Sequence, residues 1–249
     1  MYIGGFHSVM AVLKHRLQHV QMIYVSTGLE AAKLSELQSL ASPRGVPIVA
    51  VKDVQLKAWA GPVNHQGVVV LMSASQKMSI ESLLLELDQR STPPCIVILD
   101  QVQDPQNLGS CLRLAAAFGC DAIIIPKRRA AALNATVAKV ASGAQALVPI
   151  VEVTNIARTI KQLQQHGFWV YATTEHAKQP LMSADVKIAH AWVLGNEAQG
   201  VRSLVLSACD QVYAIPVQSE FSTLNVAMSM GVCLYETARA RMSGQTNSV

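Results

Sequence analysis

The sequence predicts an α/β protein in which the strands of a parallel sheet alternate with helices. Hydrophobic residues make up 51% of the 249 residues and charged residues only 14%, which supplies a large core and excludes a mainly disordered chain. Short apolar runs rich in Val and Ile alternate with segments of helical period. These runs are solid rather than alternating, as is typical of strands that helices cover on both faces of a parallel sheet.

The first 72 residues contain one such alternation and predict a small N-terminal α/β domain. Helices are expected where apolar side chains recur every three or four residues, and strands at the runs between them. The expected helices are 7–17, 31–40 and 54–59, and the expected strands are 22–25, 46–49 and 67–72. The polar and small residues 73–79 (SASQKMS) predict a linker.

Residues 80–249 predict a second, larger domain, which opens with a helix over 80–87 that the prolines of Ser91-Thr92-Pro93-Pro94 end. Pro216 should end the last strand, because proline has no N–H to donate to a neighbouring strand. The further expected helices are 108–118, 135–142, 155–165 and 225–241, and the expected strands are 95–99, 122–125, 148–153, 169–173, 191–194 and 211–215.

The net charge is small and unevenly placed along the chain. The 20 Lys and Arg against 16 Asp and Glu give a net charge of +4, which excludes a highly basic tail-type binder. Residues 1–75 carry +3 of this charge and the remainder carries +1. A basic N-terminal part fits a polyanionic partner, although a chance asymmetry of the solvated surface explains the charge equally well.

The sequence further predicts a cytosolic protein with no metal and no membrane segment. The five cysteines are odd in number and include no C-x-x-C pair, which favours reduced thiols over disulfides or a zinc site. The histidines are scattered along the chain. No apolar run approaches the roughly 20 residues that span a bilayer, and the start lacks the basic region of a signal peptide.

Two segments place polar residues after expected strands, where open α/β sheets bind ligands. In the first, D-P-Q-N-L-G (104–109) leads into a helix that carries Arg113. Asn107 is expected to cap that helix, and an Asn cap beside a solvated Arg is the ordinary interpretation. The second, L-G-N-E-A-Q-G (194–200), is a turn with glycines at both ends, which lets backbone N–H groups approach a ligand. Its spacing matches neither G-x-G-x-x-G nor a P-loop.

A third segment joins the last expected strand to the last expected helix. It contains I-P-V (215–217) and then S-T-L-N-V-A (222–227), in which Ser222 or Thr223 is expected to cap the helix. By itself this segment indicates only a capped amphipathic helix. Its order and spacing relative to the other two segments carry more information than any one of them.

The three segments together resemble the three motifs of the SpoU (TrmH-like) family of RNA ribose 2′-O-methyltransferases, over about residues 96–240. Residues 1–72, with G-x-H-S-V (5–9) and H-Q-G (65–67), resemble the substrate-binding domain of one branch of that family. Members of that branch methylate a guanosine of 23S rRNA. The missing early glycine-rich loop disfavours a Rossmann-type methyltransferase.

The resemblance implies a SPOUT fold, a parallel sheet whose C-terminal part forms a trefoil knot. It also implies S-adenosylmethionine as cofactor, rRNA of the large ribosomal subunit as partner, and a homodimer through the last helix, with Met228, Val232 and Tyr235 as its packing face. The implied cofactor-binding residues are Gly195, Asn196, Glu197, Gly200, Ile215, Val217, Leu224, Asn225 and Thr173.

The resemblance also implies catalytic and RNA-binding residues. We expect Arg113 to hold the phosphate beside the target ribose and to stabilise developing negative charge, because a guanidinium holds its proton too tightly to serve as an ordinary acid or base. The implied catalytic residues are Arg113, Asn107, Glu197, Asn225 and Thr223. The implied RNA-binding residues are Arg113, Lys127, Arg128, Arg129, His7 and His65, although a solvated loop explains 127–129 equally well.

The third motif departs from the family pattern at three positions. Ser219 stands where Gly is usual, Thr223 replaces the first Ser and keeps its hydroxyl, and Ala227 replaces the last Ser and loses it. Two other functions stay open. A tRNA ribose methyltransferase is disfavoured by the basic N-terminal domain. A catalytically impaired RNA-binding or ribosome-assembly protein is disfavoured by the presence of Asn107, Arg113, Glu197 and Asn225.

Overall fold

The computed structural model describes residues 2–15, 17–61, 63–73, 78–196, 198–218 and 224–245. The chain divides into two compact units, the first made of Met1–Gln76 and Ser142–Leu147, the second of Lys77–Ala141 and Val148–Val249. Residues 74–77 of the expected linker lie outside the described residues. Across the residues described, no helix has both the length and the hydropathy that crossing a membrane requires.

The first unit contains a four-stranded sheet in the order β1-β4-β2-β3. Its elements are β1 (Tyr2–Gly4), α1 (Phe6–His15), β2 (Val20–Ser26), α2 (Ala31–Ala41), β3 (Ile48–Val51), α3 (Asp53–Ala60) and β4 (Val68–Met72), with 3-10 turns at Leu17–His19 and Ser42–Arg44. β2 and β3 are parallel, whereas β4 is antiparallel to β1 and to β2. The expected elements are confirmed, and β1 is additional, because three residues are too few to show a period.

The two faces of this sheet carry different side chains. Along β2, Ile23 and Val25 are buried in a core that residues of α1 and α2 complete, whereas Met22 and Tyr24 are half-buried. Because successive side chains of a strand point to opposite faces, Tyr24 lies on the face away from that core. Helix α3 packs on Tyr24's face, where its Trp59 contacts the Tyr24 ring.

The second unit contains a seven-stranded sheet in the order β7-β6-β5-β10-β8-β11-β9. Every neighbouring pair in it is parallel, as the solid apolar runs predicted. Its helices are α4 (Ile80–Leu87), α5 (Pro105–Ala117), α6 (Ala135–Ala141), α7 (Ile156–Gln165), α8 (Ser203–Leu206) and α9 (Val226–Gln245), with a 3-10 turn at Leu181–Ser183; a further turn, Ala144–Ala146, belongs to the first unit. Its strands are β5 (Cys95–Asp100), β6 (Ala122–Pro126), β7 (Ile150–Val153), β8 (Trp169–Thr173), β9 (Gln179–Pro180), β10 (His190–Gly195) and β11 (Gln211–Ala214).

The ends of these elements follow from local chemistry, with one correction to the expected caps. The prediction that Asn107 caps α5 is wrong. The helix begins earlier, because Asp104 Oδ1 accepts a hydrogen bond from the Gln106 N–H at 3.0 Å and Pro105 occupies the first helical position, where its missing N–H costs nothing. Strand β11 ends at Ala214, before Pro216, as expected.

Candidate active site

The three motif segments lie at one edge of the parallel sheet. They follow β5, β10 and β11, and Thr173 is the last residue of β8. Because parallel strands share their direction, the carboxyl ends of β5, β8, β10 and β11 all open on the same edge. The segments that hold the described residues expected to bind the cofactor therefore follow strands that end at one edge of the sheet.

A side-chain hydrogen bond joins the first and third segments. Asn225 Nδ2 donates to Asn107 Oδ1 at 2.9 Å, across 118 positions of sequence. Asn225 Oδ1 in turn accepts the N–H of Ala227 at 2.8 Å and so caps α9, the role that was expected of Ser222 or Thr223. Ala227, which lacks the hydroxyl usual in the family, keeps this backbone bond.

The second segment is a tight loop closed by its own backbone. The Gly200 N–H donates to the Asn196 carbonyl at 2.7 Å, and the Ala198 N–H donates to Asn196 Oδ1 at 2.8 Å. A Cβ placed on Gly195 would lie 2.0 Å from the Gly200 carbonyl carbon. The loop therefore requires glycine at position 195 because of this close approach, and at position 200 a φ of +65° favours glycine.

Two further contacts fasten this loop to the end of β5. Asn196 Nδ2 donates to the Gln101 carbonyl at 3.1 Å. Arg202 Nη2 donates to Asp100 Oδ1 at 2.7 Å, and Arg202 Nε lies 3.0 Å from the same oxygen and 3.1 Å from Oδ2. The Arg202 backbone N–H also donates to Asp100 Oδ2 at 3.1 Å. The Asp100 side chain is fully buried, and the Arg202 guanidinium balances its charge. This ion pair lies where the chain after β5 meets the chain after the glycine loop.

Strained backbone marks the same region. Gln101 has a φ of +63° and Arg129 a φ of +60°, a conformation that costs about 1 kcal/mol or more for residues other than glycine. The two loops that hold them are linked, since the Ala131 N–H donates to the Val102 carbonyl at 2.9 Å. Such strain is often found where a fold holds functional groups in place.

The basic side chains expected to meet RNA are exposed. Arg113 lies on α5 and is exposed, and no described residue forms an ion pair with its guanidinium. Lys127, Arg128 and Arg129 follow β6 directly and are all exposed. The loop that carries them starts at the carboxyl edge of the sheet, where the Lys127 N–H donates to the Val153 carbonyl at 2.8 Å.

Helix α5 is held against α6 by the motif glycine Gly109. A Cβ at this position would lie 2.6 Å from the Val140 Cβ, so the two helices can approach this closely only with glycine there. The glycine of the first motif therefore has a packing role, and it fixes the helix that presents Asn107 and Arg113.

The two histidines expected to bind RNA have different surroundings in the first unit. His7 is exposed on α1. The His65 side chain is only 15% exposed, and its Nδ1 accepts the Gly67 N–H at 3.1 Å. Gln66 Oε1 accepts the Phe6 N–H at 3.0 Å, at the start of α1. The H-Q-G motif therefore builds the turn that anchors α1, a role that sequence reasoning missed.

The remaining expected residues are divided by what the structure describes. Glu197, Ser219, Ser222 and Thr223 lie outside the described residues. Thr173, Ile215 and Leu224 are half-buried, and Val217 is 39% exposed. Within the ranges described, no group of three His, Cys, Asp or Glu side chains has the arrangement of a metal site.

Comparison with known proteins agrees with this geometry. Residues 94–235 match the model of the SpoU rRNA Methylase family, and residues 2–78 match the model described as RNA 2′-O ribose methyltransferase substrate binding. Proteins named 23S rRNA (guanosine-2′-O-)-methyltransferase RlmB are similar over almost their whole length. The one from Ralstonia nicotianae is 41% identical over 95% of this chain and 94% of its own, and the one from Pseudomonas putida is 42% identical over 96% of both.

Solved structures share the fold at lower identity. The SpoU methyltransferase AviRb from Streptomyces viridochromogenes superposes with a TM-score of 0.72 at 21% identity, covering 98% of this chain and 90% of that one. The AdoMet-bound rRNA methyltransferase from Sinorhizobium meliloti superposes with a TM-score of 0.69 at 22% identity, covering 96% of this chain and 87% of that one. With two family models and relatives above 40% identity across the chain, this protein belongs to the SpoU family of RNA methyltransferases.

Proposed function

We propose that the protein transfers a methyl group from S-adenosylmethionine to the 2′ oxygen of a guanosine ribose in 23S rRNA. Relatives about 40% identical over nearly the whole chain carry this activity in their names. The observation that carries the proposal in the structure is the Asn107–Asn225 hydrogen bond, which joins the first and third motifs at the edge where the glycine loop also lies. Because the proposed substrate is rRNA, we also propose that the protein acts in the cytoplasm.

The residues at this edge suit S-adenosylmethionine. The turn that Gly195 and Gly200 bound and the backbone of Ile215–Val217, which follows β11 outside any strand or helix, carry main-chain donors and acceptors for an adenosine, and we propose Thr173, Leu224 and Asn225 as its further contacts. When bound, S-adenosylmethionine supplies a methyl group already activated by its sulfonium. The same family assignment supports a trefoil knot in the C-terminal part, near the loop that Asp100 and Arg202 fasten.

The chain's own groups then have two tasks, alignment of the ribose and stabilisation of charge on its oxygen. Arg113 holds the phosphate next to the target ribose through its planar fork and stabilises the negative charge that grows on the 2′ oxygen as its proton departs. Asn107 orients the acceptor side, because its amide is fixed by Asn225. Alignment of this kind is worth several kcal/mol when donor and acceptor are both held.

The substitution Arg113→Lys tests this role of Arg113. It keeps the charge but removes the bidentate fork, and we expect the single-turnover methylation rate to fall at least tenfold while cofactor affinity stays unchanged. Arg158→Lys, at an exposed arginine on α7, is the matched control. A wild-type rate for Arg113→Lys would show that fork geometry is not used.

The proposed substrate is tested by labelling in vitro and by mapping in cells. Labelled S-adenosylmethionine is incubated with 23S rRNA and, separately, with tRNA, and ribose methylation is mapped in cells with and without the gene. Incorporation into 23S rRNA at one guanosine supports the proposal. Incorporation into tRNA alone would favour a tRNA methyltransferase, and absence of S-adenosylmethionine binding by calorimetry would favour an impaired RNA-binding protein.

The division of labour between domains is part of the proposal. Residues 1–72 bind the RNA substrate, 73–79 link, and 80–249 carry methyl transfer, with the basic residues 127–129 meeting RNA phosphates. The protein acts as a homodimer through α9, because Met228, Val232 and Tyr235 recur at spacings of four and three on that helix and are 64%, 38% and 59% exposed. A stripe of this spacing is typical of a helix that packs on another helix.

A further inference from the structure

One face of the sheet in the first unit is only partly covered and carries aromatic and apolar side chains. Tyr2 lies opposite Leu71, and Leu71 lies opposite Met22, so these three side chains share a face. In the next row, Tyr24 lies beside Val49 of the edge strand β3. Tyr2 is 39% exposed and Val49 38% exposed, and the other three are half-buried. Exposed apolar patches of this kind commonly mark binding surfaces.

Trp59 of α3 adds a third ring to this face. We call the three rings, Tyr2, Tyr24 and Trp59, the aromatic platform. The Tyr2 and Trp59 rings are within 5° of parallel with centroids 5.3 Å apart, and the Tyr24 and Trp59 centroids are 4.4 Å apart. Parallel rings in van der Waals contact are about 3.5 Å apart face to face. The 5.3 Å separation exceeds this distance, so the Tyr2 and Trp59 rings do not fully cover each other, and Tyr2 stays 39% exposed.

The chemistry of the platform favours unpaired nucleobases as its occupant. A base has a flat π-face that stacks on any aromatic ring whatever its identity, whereas bases inside a duplex are already stacked. Aromatic residues are only 5% of this chain, yet three of them gather here. The neighbouring charges also suit RNA, since the exposed Lys52 and Lys57 lie at the start of α3 and within it, against one exposed acidic residue of that helix, Asp53.

We propose that the aromatic platform binds unpaired bases of the RNA substrate by stacking. The proposal rests on the proposed function, since it takes RNA as the substrate, and it adds a subsite in the first unit that prefers single strands. Stacking on one ring contributes about 1–3 kcal/mol per base, which corresponds to a change in affinity of about five-fold to more than 100-fold.

The test compares two RNA probes on the full-length protein by fluorescence anisotropy. One is a single strand of about 12 nucleotides, within the usual site sizes of such proteins, and the other is a blunt duplex of the same sequence. Tyr2→Leu removes the ring but keeps an apolar side chain, and Tyr2→Phe is the matched control that keeps the ring. We expect Tyr2→Leu to weaken single-strand binding at least five-fold and Tyr2→Phe to change it less than two-fold, with duplex binding unchanged in both.

Salt dependence separates stacking from phosphate contacts. Because stacking neutralises no phosphate, Tyr2→Leu should leave the slope of log affinity against log salt unchanged, whereas Lys57→Ala should reduce it if that lysine meets a phosphate. Wild-type single-strand affinity in Tyr2→Leu, or equal losses for both probes with a smaller slope, would overturn the proposal. A patch that instead contacts a protein would also leave single-strand affinity unchanged.

A crosslinking readout on the wild-type protein does not depend on any variant folding. A single strand that carries 4-thiouridine should crosslink to Tyr2, Tyr24 or Trp59 under long-wave light, and crosslinks confined to other residues would contradict the platform. Methylation of 23S rRNA by the same preparation separates the two proposals. If methylation occurs without platform crosslinks, the platform proposal fails alone, and if no RNA is methylated, the proposed function fails.

Discussion

Asp100 and Arg202 form a bidentate ion pair across 102 positions of sequence, with the Asp100 carboxylate fully buried and the Arg202 side chain 42% exposed. The pair connects the last residue of β5 to the second residue after the glycine loop. Since the first motif follows β5, this contact holds the proposed cofactor loop in place relative to the residues proposed to align the ribose.

Arg202→Ala should leave the buried Asp100 carboxylate with only the backbone N–H of residue 202 as a partner. Because the Arg202 side chain is 42% exposed, the cost should be smaller than the roughly 3–5 kcal/mol of a fully buried pair, and we expect a lower free energy of unfolding together with a loss of S-adenosylmethionine affinity of at least ten-fold. Arg202→Lys, which keeps the charge but not the fork, should recover part of both. Urea unfolding and calorimetry measure the two effects.

The control for this prediction is Lys33→Ala, which removes an exposed i,i+3 ion pair with Glu30. Exposed pairs contribute at most about 1 kcal/mol, so its unfolding and its cofactor binding should stay close to those of the wild type. Full S-adenosylmethionine affinity in Arg202→Ala would mean that the ion pair does not hold the loop in its binding conformation.

Most of the fold could be predicted from the sequence, because most strands are short, strongly apolar runs that can be recognised without knowing which strands they pair with. The runs that became β5 and β6 needed no tertiary information, whereas β1 exists through its pairing with β4, and Ser142–Leu147 joins the first unit only through folding. The position of the candidate site follows from the ends of the predicted strands. The ion pair that holds the glycine loop could not be predicted. Asp100 is only a single acidic residue at the end of an apolar run, and nothing in the sequence pairs it with Arg202.

Local cap chemistry was predicted less well than element positions. Asp104 and Asn107 are both good N-cap residues, and the proline at position 105 was the signal that favoured the earlier one. Asn225 caps α9 while it also bonds to Asn107, so a residue implied by the family motif proved to be part of the helix start. The contact of Asn225 with Asn107 could not be predicted from the sequence, because Asn107 lies on another helix, α5, and the two residues meet only in the folded protein.

Gly195→Ala should abolish cofactor binding, because the new Cβ would lie 2.0 Å from the Gly200 carbonyl carbon and 2.2 Å from the Val201 nitrogen. The atoms it meets are backbone, so the loop itself must shift. Gly231→Ala on α9 is the matched control, since its Cβ would lie at an ordinary 3.6 Å from Leu114. It should stabilise the helix by about 0.5–1 kcal/mol. Calorimetry with S-adenosylmethionine measures cofactor binding by both variants, and binding by Gly195→Ala would show that the loop can relax.

Neutralising Lys127, Arg128 and Arg129 together should weaken RNA binding and flatten its salt dependence. Each phosphate contact contributes about 0.7–0.9 to the slope of log affinity against log salt, so three contacts would reduce the slope by about 2–3. Binding to 23S rRNA fragments at several salt concentrations measures it. Replacement of Arg158 and Lys161 on α7 serves as the charge control. An unchanged slope would remove residues 127–129 from the RNA-binding surface.

Tyr235→Glu should convert the proposed dimer to a monomer. Tyr235 is 59% exposed in the single chain and lies on the apolar stripe of α9, so a carboxylate there would lose its hydration when a second helix packed over it. Sedimentation equilibrium gives the mass directly. Leu85→Glu, at a 70% exposed leucine of α4, controls for the added charge. A monomeric wild-type protein, or a dimer unaffected by Tyr235→Glu, would contradict the proposed interface.

The thiol of Cys209 should react slowly and with a steep dependence on pH. Burial, with the nearby charges of Asp210 and Asp100, raises its pKa to about 12, and only the thiolate is nucleophilic. Between pH 7 and 9 the reaction rate with a disulfide reagent should rise about tenfold per pH unit without a plateau, since the folded pKa lies far above this range.

The unfolded thiol ionises near pH 8.5, so folding stability should fall as pH rises above that value, and Cys209→Ala should remove this part of the decline. The difference in reaction rate between the native protein and Cys209→Ala isolates the contribution of this thiol, and a plateau near pH 8.5 would show an ordinary, solvated cysteine.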